Sequence, residues 1–417
     1  MPAASKVSAN ARLGTFWFIY FAGLGVFFPF YGLYLRQDVG LSGSRVGLVM
    51  AAIPLIGLLA QPLWGQVADR TGSRRLALFL VALGVAVVHA GLGFAHGFVP
   101  ILLGTAVLAL FSTPVVPMAT AVTLAAQTRH GGSAFGRVRL WGTLGFLAAV
   151  VSFPTLRDLL AERFSGPWTG LGWLFPVVAV ASFLAAPIAL TLPPTAAMVV
   201  RSAPGDARKL LRHPPIVRLL IVVFVAHTLV QGPINLFPLL VDARGGDAAS
   251  IRDLWIFMLL LEVPLIGFSG PALRRLGARW LLVIGLVAEG IRWSVVAWST
   301  DPDWIRWAQM LHGVGVAGII IGAPLYVELA APERLRATGQ ALVATIGFGL
   351  GAILSIAGGG WLFEHVAPVA PSAIAGVGAL VLAGLVHSIL PAPRRPEPET
   401  SSDILEGPTD AECADRA

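Results

Sequence analysis

One acidic residue stands alone in a long apolar stretch of this sequence. Glu262 is the only charged residue in LWIFMLLLEVPLIGFSG, which runs from Leu254 to Gly270. Burial away from water favours the neutral form of a carboxyl group, so this residue could take up a proton near neutral pH. An ion pair with Arg292 that only stabilises the fold is the alternative. Glu262 is therefore a candidate for carrying a proton.

Further ionisable side chains lie in apolar runs of the same half of the chain. Glu289 and Arg292 are three residues apart and share one face of a helix. They form either a structural ion pair or part of a site, in which Arg292 would anchor an anion and Glu289 would assist proton transfer. His227 and His312 could bind a ligand, relay protons, or act as buried hydrogen-bond donors.

The first apolar run carries aromatic side chains on one face. Tyr20, Phe27 and Tyr31 are seven and four residues apart, which is the spacing of a helix face. Such rings could stack on an aromatic group or a sugar, and packing between helices explains them equally well. Gln231 and Asn235, one turn apart later in the chain, could face them across a cavity.

The composition indicates which elements must position these residues. Of the 417 residues, 56% are hydrophobic and 12% are charged, whereas soluble proteins have about 25% charged residues. This balance is typical of a protein that crosses the membrane many times. The net charge of +7 lies in short arginine patches without a continuous basic stripe, which argues against a nucleic-acid partner. The single cysteine, Cys413, excludes an intramolecular disulfide and a paired-cysteine metal site.

Twelve apolar runs are long enough to span a bilayer. They cover residues 13–35, 46–68, 76–95, 98–126, 139–157, 170–192, 216–241, 254–273, 280–299, 304–330, 338–363 and 369–391. With the N-terminus inside, roughly three times as many Lys and Arg residues fall inside as outside. We therefore expect an all-α protein of the inner (plasma) membrane with both ends in the cytoplasm.

This pattern divides the chain into five units. They are a cytoplasmic N-terminus (1–12), a first six-helix bundle (13–193), a cytoplasmic central loop (194–215), a second six-helix bundle (216–391) and a disordered tail (392–417). We expect the chain to act as a monomer that contacts membrane lipid, and to use no cofactor and no metal.

The two bundles resemble each other in sequence. GQVADRTGSR, which begins at Gly65, matches GPALRRLGAR, which begins at Gly270, and Pro29 matches Pro233 at nearly the same offset. A duplicated six-helix unit predicts a pseudo-twofold axis along the membrane normal. It also predicts a cavity between the halves near the midplane.

The loop between the second and third runs carries the most specific resemblance. The residues of this motif are Gly65, Ala68, Asp69, Arg70, Gly72, Arg74 and Arg75. In this pattern the chain resembles the major facilitator superfamily, whose signature lies between helices 2 and 3. FGRVRLWG, LHG and RATGQAL are similar to the branch that holds phenylpropionate permeases, nucleoside–proton symporters and, more distantly, lactose permease.

The resemblance implies a latch in this loop that closes the cytoplasmic side. From the residues alone, Gly65 and Gly72 would permit a tight turn. Asp69 would accept backbone N–H groups at a helix start, and the arginines would bond carbonyls at helix ends. Holding the loop on the inner side is the simpler interpretation.

Arg139 begins the fifth run. In lactose permease, an arginine in the matching stretch binds sugar together with an acid on helix 4. The fourth run of this chain has no acid, which argues against that sugar site.

Taken together, these features predict a secondary transporter that moves a small organic solute with a proton by alternating access, with the proton gradient as its energy source. Aromatic or other organic acids rank first as substrates, and nucleosides or sugars second. Proton-driven efflux is the alternative, although the helix 5 pattern usual in antiporters is missing. A membrane sensor or enzyme would need a catalytic cluster or an output domain that this sequence lacks.

Overall fold

The computed structural model describes residues 3–128, 135–194, 205–268 and 275–393. The predicted tail beyond residue 393, residues 195–204 of the predicted central loop, and Gly270 of the second loop copy lie outside these ranges. Within them the chain forms twelve long helices and no strand.

The first half contains helices α1 to α6. They are α1 (Ala3–Gln37), α2 (Gly43–Thr71), α3 (Arg74–Leu92), α4 in two parts (Phe98–Ser112 and Val115–Thr128), α5 (Phe135–Arg163) and α6 (Leu174–Thr191). The second half contains α7 to α12. They are α7 (Pro214–Ala243), α8 (Ala248–Phe268), α9 (Ala278–Trp298), α10 (Pro302–Ala330), α11 (Glu333–His365) and α12 (Ala370–Ile389).

Eleven of these helices are long and apolar enough to cross a membrane, counted over the described residues. The other one, α8, carries Arg252 and Asp253 near its start and Glu262 near its middle. Most predicted boundaries differ from the structure by a few residues, and α8 begins at Ala248 rather than at residue 254. Helix α1 begins at Ala3 rather than at residue 13, and α5 continues to Arg163 rather than ending at residue 157. Polar residues do not end a helix by themselves, so both helices extend beyond their apolar runs.

The same three helix pairings occur in both halves. Helix α1 packs on α5, α2 on α4 and α3 on α6, and in the second half α7 packs on α11, α8 on α10 and α9 on α12. Adding six to both helix numbers of a first-half pair gives the corresponding second-half pair. This repetition agrees with the duplication read from the sequence.

The two halves meet closely on the side of the molecule away from the chain ends, here called the distal face. Gln37 Nε2 donates to Asp242 Oδ1 at 2.7 Å, and the Ser44 amide donates to Glu364 Oε2 at 2.8 Å. Helices α2 and α11 approach each other at Gly360, where an added Cβ would lie 2.8 Å from the Gly47 Cα. The distal side of the molecule is therefore closed.

The opposite side, here called the terminal face, carries both ends of the helical region. Arg12 and Arg75 donate to carbonyls at the end of α6, and Arg334 pairs with Asp206 at 3.2 Å. The structure thus represents a state that is closed at the distal face.

The glycine contact between α2 and α11 predicts how this closure can be broken. Gly360→Val should force α2 away from α11 and raise the maleimide labelling of a reporter cysteine, Ser44→Cys in a Cys413→Ser background, several-fold. Gly358→Val is the matched control, because Gly358 has open space around its Cα. Equal labelling of the two valine variants would contradict the proposed packing.

Candidate functional site

A cavity of about 330 Å³ lies between the two halves and contains most of the predicted polar residues. We call it the polar cavity. From the first half it is lined by Phe21, Phe28, Arg139, Thr143 and Phe146, and from the second half by His227, Gln231, Trp255, Glu262, Glu289 and His312, among others. Arginine, carboxylate, imidazole and amide groups thus share one enclosed space.

A second cavity of about 310 Å³ lies mainly in the first half, and we call it the aromatic cavity. Tyr20, Phe27, Phe28 and Tyr31 of α1 form one wall, and other lining residues include His89, Ser112, Thr113, Ser182, Gln231 and Asn235. Phe28 and Gln231 line both cavities. The two spaces therefore adjoin across α1 and α7.

Both tyrosine hydroxyls of the aromatic cavity have partners inside the protein. The Tyr31 hydroxyl is hydrogen-bonded to Thr105 Oγ1, and the Tyr20 hydroxyl donates to the Ser112 carbonyl at 3.4 Å. Phe27 stacks on Tyr31 with ring centroids 4.4 Å apart. The tyrosines thus offer ring surface to the cavity, while their hydroxyls stabilise α1 against α4.

Arg292 lies behind the lining of the polar cavity and has no exposed surface. Its Nη1 atom lies 3.1 Å from Glu289 Oε2 and 2.9 Å from His312 Nδ1, and its Nε donates to Gln309 Oε1 at 3.0 Å. The guanidinium also lies over the Trp293 ring at 4.3 Å. Four side chains from α9 and α10 therefore surround one buried charge.

This network sets the hydrogen-bonding role of His312. A guanidinium can only donate, so the contact from Arg292 makes Nδ1 the acceptor. In neutral imidazole the proton then lies on Nε2, which is 3.7 Å from Glu262 Oε2. His312 thus connects the cavity carboxylate of Glu262 to the buried Glu289–Arg292 pair.

Gly315 makes this arrangement possible. A Cβ at this position would collide with Oε1 and Cγ of Glu289. The helix is also locally widened into a π-helical turn at Ala317–Ile321, which includes the cavity-lining residues Ile319 and Ile320. Such turns are frequent at functional sites.

Glu262 and Arg139 are the charged groups of the polar cavity that have no Lys, Arg, Asp or Glu partner within ion-pair distance, among the described residues. The Glu262 side chain is 20% exposed, against 5% for Glu289. Arg139 lies over the rings of Trp17 and Phe21, and its Nη1 is buried without a hydrogen-bond partner. The site therefore presents a carboxylate from α8 and a guanidinium from α5, one from each half.

The predicted site residues separate into three groups. Arg139, His227, Gln231, Glu262, Glu289 and His312 line the polar cavity, and Tyr20, Phe27, Tyr31, Gln231 and Asn235 line the aromatic cavity. Arg292 lines neither, so the expectation that it faces the cavity is wrong for this state. Its charge is better neutralised by Glu289 than by a ligand, because Glu289 is already within ion-pair distance.

The third group is the loop between α2 and α3, at the terminal face. Gly72 ends α2 with a φ of 62°, but Gly65 is helical, so the predicted turn at Gly65 is wrong. Asp69 lies in the last turn of α2 rather than at a helix start, and Ser73 caps α3 by accepting from the Leu76 amide. Arg75 bonds carbonyls at the end of α6, as expected, while Arg70 is exposed and Arg74 begins α3.

Sequence reasoning missed several residues of the site, of which Trp255 lines the polar cavity and Gln309 binds the buried Arg292 behind it. Gln309 lies three residues before His312, and Trp255 lies seven before Glu262, so helical spacing from a known site residue could have indicated both. His89 of α3 lines the aromatic cavity. The only sequence signal for His89 is that it is a polar residue within an apolar run.

The buried pair predicts a large stability effect from Glu289→Gln. Removing one partner of a buried ion pair typically costs about 3–5 kcal/mol, because the other charge stays buried and unpaired. The unfolding midpoint of the purified protein should fall clearly, and adding Arg292→Met should restore much of it.

Asp303→Asn is the matched control for this prediction. Asp303 and Arg306 have the same spacing at 2.6 Å, but their side chains are 74% and 40% exposed. Exposed pairs contribute about 0–1 kcal/mol. A similar loss of stability in Glu289→Gln and Asp303→Asn would contradict the assigned role of burial.

Comparisons with known proteins agree with this architecture. The sequence matches the MFS_1 like family over residues 10–371. It is 31% identical to maltose permease of Geobacillus stearothermophilus over 379 residues, which cover 88% of this chain and 91% of the permease. It is 26% identical to the probable 3-phenylpropionic acid transporter of Escherichia coli over 306 residues, covering 71% and 76% of the two chains.

A solved structure has the same fold. The D323A mutant of the nucleoside transporter NupG superimposes with a TM-score of 0.79 at 17% identity, covering 92% of this chain and all of that one. The family match, together with the paired six-helix bundles and the cavity between them, shows that the chain belongs to the MFS_1 like family and is a multi-pass membrane transporter, not an enzyme.

Proposed function

We propose that this transporter moves a small, uncharged, hydroxyl-bearing solute together with a proton, by rocking its two halves about the polar cavity. The observation that carries the proposal is the placement of Glu262. It lines the cavity, remains partly exposed, and has the imidazole of His312 at 3.7 Å. The other cavity carboxylate, Glu289, is already paired with Arg292.

The coupling follows from desolvation. Glu262 belongs to α8 of the second half, and Arg139 belongs to α5 of the first half. When the halves close around a solute, water leaves the cavity and an ionised carboxylate loses its hydration. A proton on Glu262 removes that charge and lowers the cost of closure. When the cavity reopens, water and the Nε2–H group of His312 favour the ionised form, and the proton leaves.

The preference for an uncharged solute follows from the balance of charge. Glu289 and Arg292 neutralise each other, and Glu262 and Arg139 contribute one charge of each sign. A hydroxyl group can accept from a guanidinium and donate to a carboxylate, so a polyol would satisfy both residues. The aromatic side chains around them, including Phe28 and Trp255, suit the apolar face of a sugar or base. The similarity to maltose permease supports this order of substrates.

An aromatic acid is the second candidate, which was ranked first on the sequence alone. The unpartnered Nη1 of Arg139 supports it, because a guanidinium binds a carboxylate well. The similarity to the probable 3-phenylpropionic acid transporter points the same way. Arg292, however, is no longer available as an anion anchor, which leaves Arg139 alone for that role.

Uptake into proteoliposomes tests both candidates. We expect labelled maltose or uridine to accumulate when an inward proton gradient is imposed, and 3-phenylpropionate to accumulate less. Glu262→Gln should abolish gradient-driven accumulation but retain exchange of the solute between the two sides, because a neutral amide resembles the protonated carboxyl.

Glu328→Gln is the matched control, since Glu328 is an exposed carboxylate on α10. It should accumulate solute as the unmodified protein does. Uptake that ignores the gradient, or equal accumulation by Glu262→Gln and the unmodified protein, would overturn proton coupling at Glu262. Accumulation of 3-phenylpropionate alone would instead favour the second candidate.

A further inference from the structure

His89, which lines the aromatic cavity, has a buried hydrogen-bonding atom without a partner. The side chain is 2% exposed and lies on α3, away from every ionisable group of the polar cavity's lining. Its Nδ1 lies 2.8 Å from the Val85 carbonyl, and its Nε2 is buried without a partner. A buried polar atom without a partner is costly, so this one calls for an explanation.

The chemistry of Nε2 follows from the bond at Nδ1. A carbonyl oxygen only accepts, so Nδ1 must carry the proton. In neutral imidazole Nε2 is then an acceptor. A group that satisfies it must bring an O–H or N–H donor, and a carboxylate oxygen or an ether cannot do so.

The surroundings of His89 are uncharged. No Asp, Glu, Lys or Arg lines the aromatic cavity, among the residues that the structure describes. Phe27 lies edge-on to the His89 ring at 5.1 Å, and Tyr31 stacks behind Phe27. Such walls suit a flat or ring-shaped group of low charge.

The position of this cavity relates it to the polar cavity. The two spaces adjoin at Phe28 and Gln231, and each is near the lower end of the range of about 300–1,000 Å³ found for ligand sites. Each is large enough to hold a ring, so a solute that occupies both would have at least two.

We infer that the aromatic cavity is a second subsite, which holds an uncharged ring of a two-ring solute through a hydrogen bond from a ring O–H or N–H group to His89 Nε2. This inference rests on the proposed function, because it assigns the first ring of the same solute to the polar cavity. His89 and the α1 aromatic wall then select for the second ring, while Glu262 and Arg139 bind the first.

Direct binding to the purified protein, without a proton gradient, tests the subsite. The probes are maltose and uridine, which have two rings with O–H or N–H donors, and glucose, which has one ring. His89→Leu should weaken binding of the two-ring probe by about tenfold to a hundredfold, because its donor is left unpaired in a buried site. Glucose binding should stay the same. Maltose and uridine distinguish a second sugar ring from a base.

Two further variants keep the test decisive. His89→Gln should restore two-ring binding in part, since its carbonyl oxygen can accept the same hydrogen bond. His387→Leu, an exposed histidine that packs on Trp280, should change nothing. Equal weakening of one-ring and two-ring probes in His89→Leu, no effect on either, or an unmodified protein that binds neither two-ring probe would overturn the inference.

The outcome is separable from proton coupling. If uptake of a two-ring probe ignores the gradient while His89→Leu still weakens its binding selectively, the coupling at Glu262 fails and the subsite stands. If Glu262→Gln behaves as expected and His89→Leu has no selective effect, the coupling stands and the subsite fails.

Discussion

The second half of the molecule is organised around one arginine that is buried within the membrane-spanning region. A charge in this position must be neutralised and hydrogen-bonded, because an unpaired buried charge would lower the stability of the fold by several kcal/mol. Glu289 neutralises Arg292, and Gln309 and His312 accept hydrogen bonds from its Nε and Nη1, while its buried Nη2 has no hydrogen-bond partner. Because these partners lie on α9 and α10, the network fixes the register between the two helices. It also determines which nitrogen of His312 is turned toward Glu262.

The two halves contribute different chemistry to the space between them. The second half supplies both carboxylates and two histidines of the polar cavity, while the first half supplies one arginine and most of the aromatic surface. A duplicated architecture has therefore diverged in its lining while keeping its helix pairings. In the proposed mechanism the second half takes up the proton at Glu262, and residues of both halves bind the solute.

The closed distal face defines the conformational state of the two halves. Glycine contacts between α2 and α11 and the polar contacts of Gln37 and Ser44 join the halves there. At the terminal face the described contacts of the α2–α3 loop stay within the first half. A loop that latches the halves together on that side would be released in this state. Its proposed gating role is consistent with the geometry, and it concerns the alternative state.

The sequence by itself determined the membrane class, the twelve helices and the duplication, because hydrophobic length, arginine distribution and repeated motifs are local properties of the chain. It also identified Glu262, Glu289, His227 and His312, since an ionisable residue in an apolar run is conspicuous without any structure. Only the tertiary structure decided which of them face the cavity. In the sequence, Arg292 and Arg139 are equally suited to bind a ligand. In the structure, Arg292 is paired with its neighbours on α9 and α10, while Arg139 lines the polar cavity and its Nη1 has no hydrogen-bond partner. The proposed subsite at His89 likewise depends on the ring contact between Phe27 of α1 and His89 of α3, because contacts between distant segments are set by packing and leave no periodic trace along the chain.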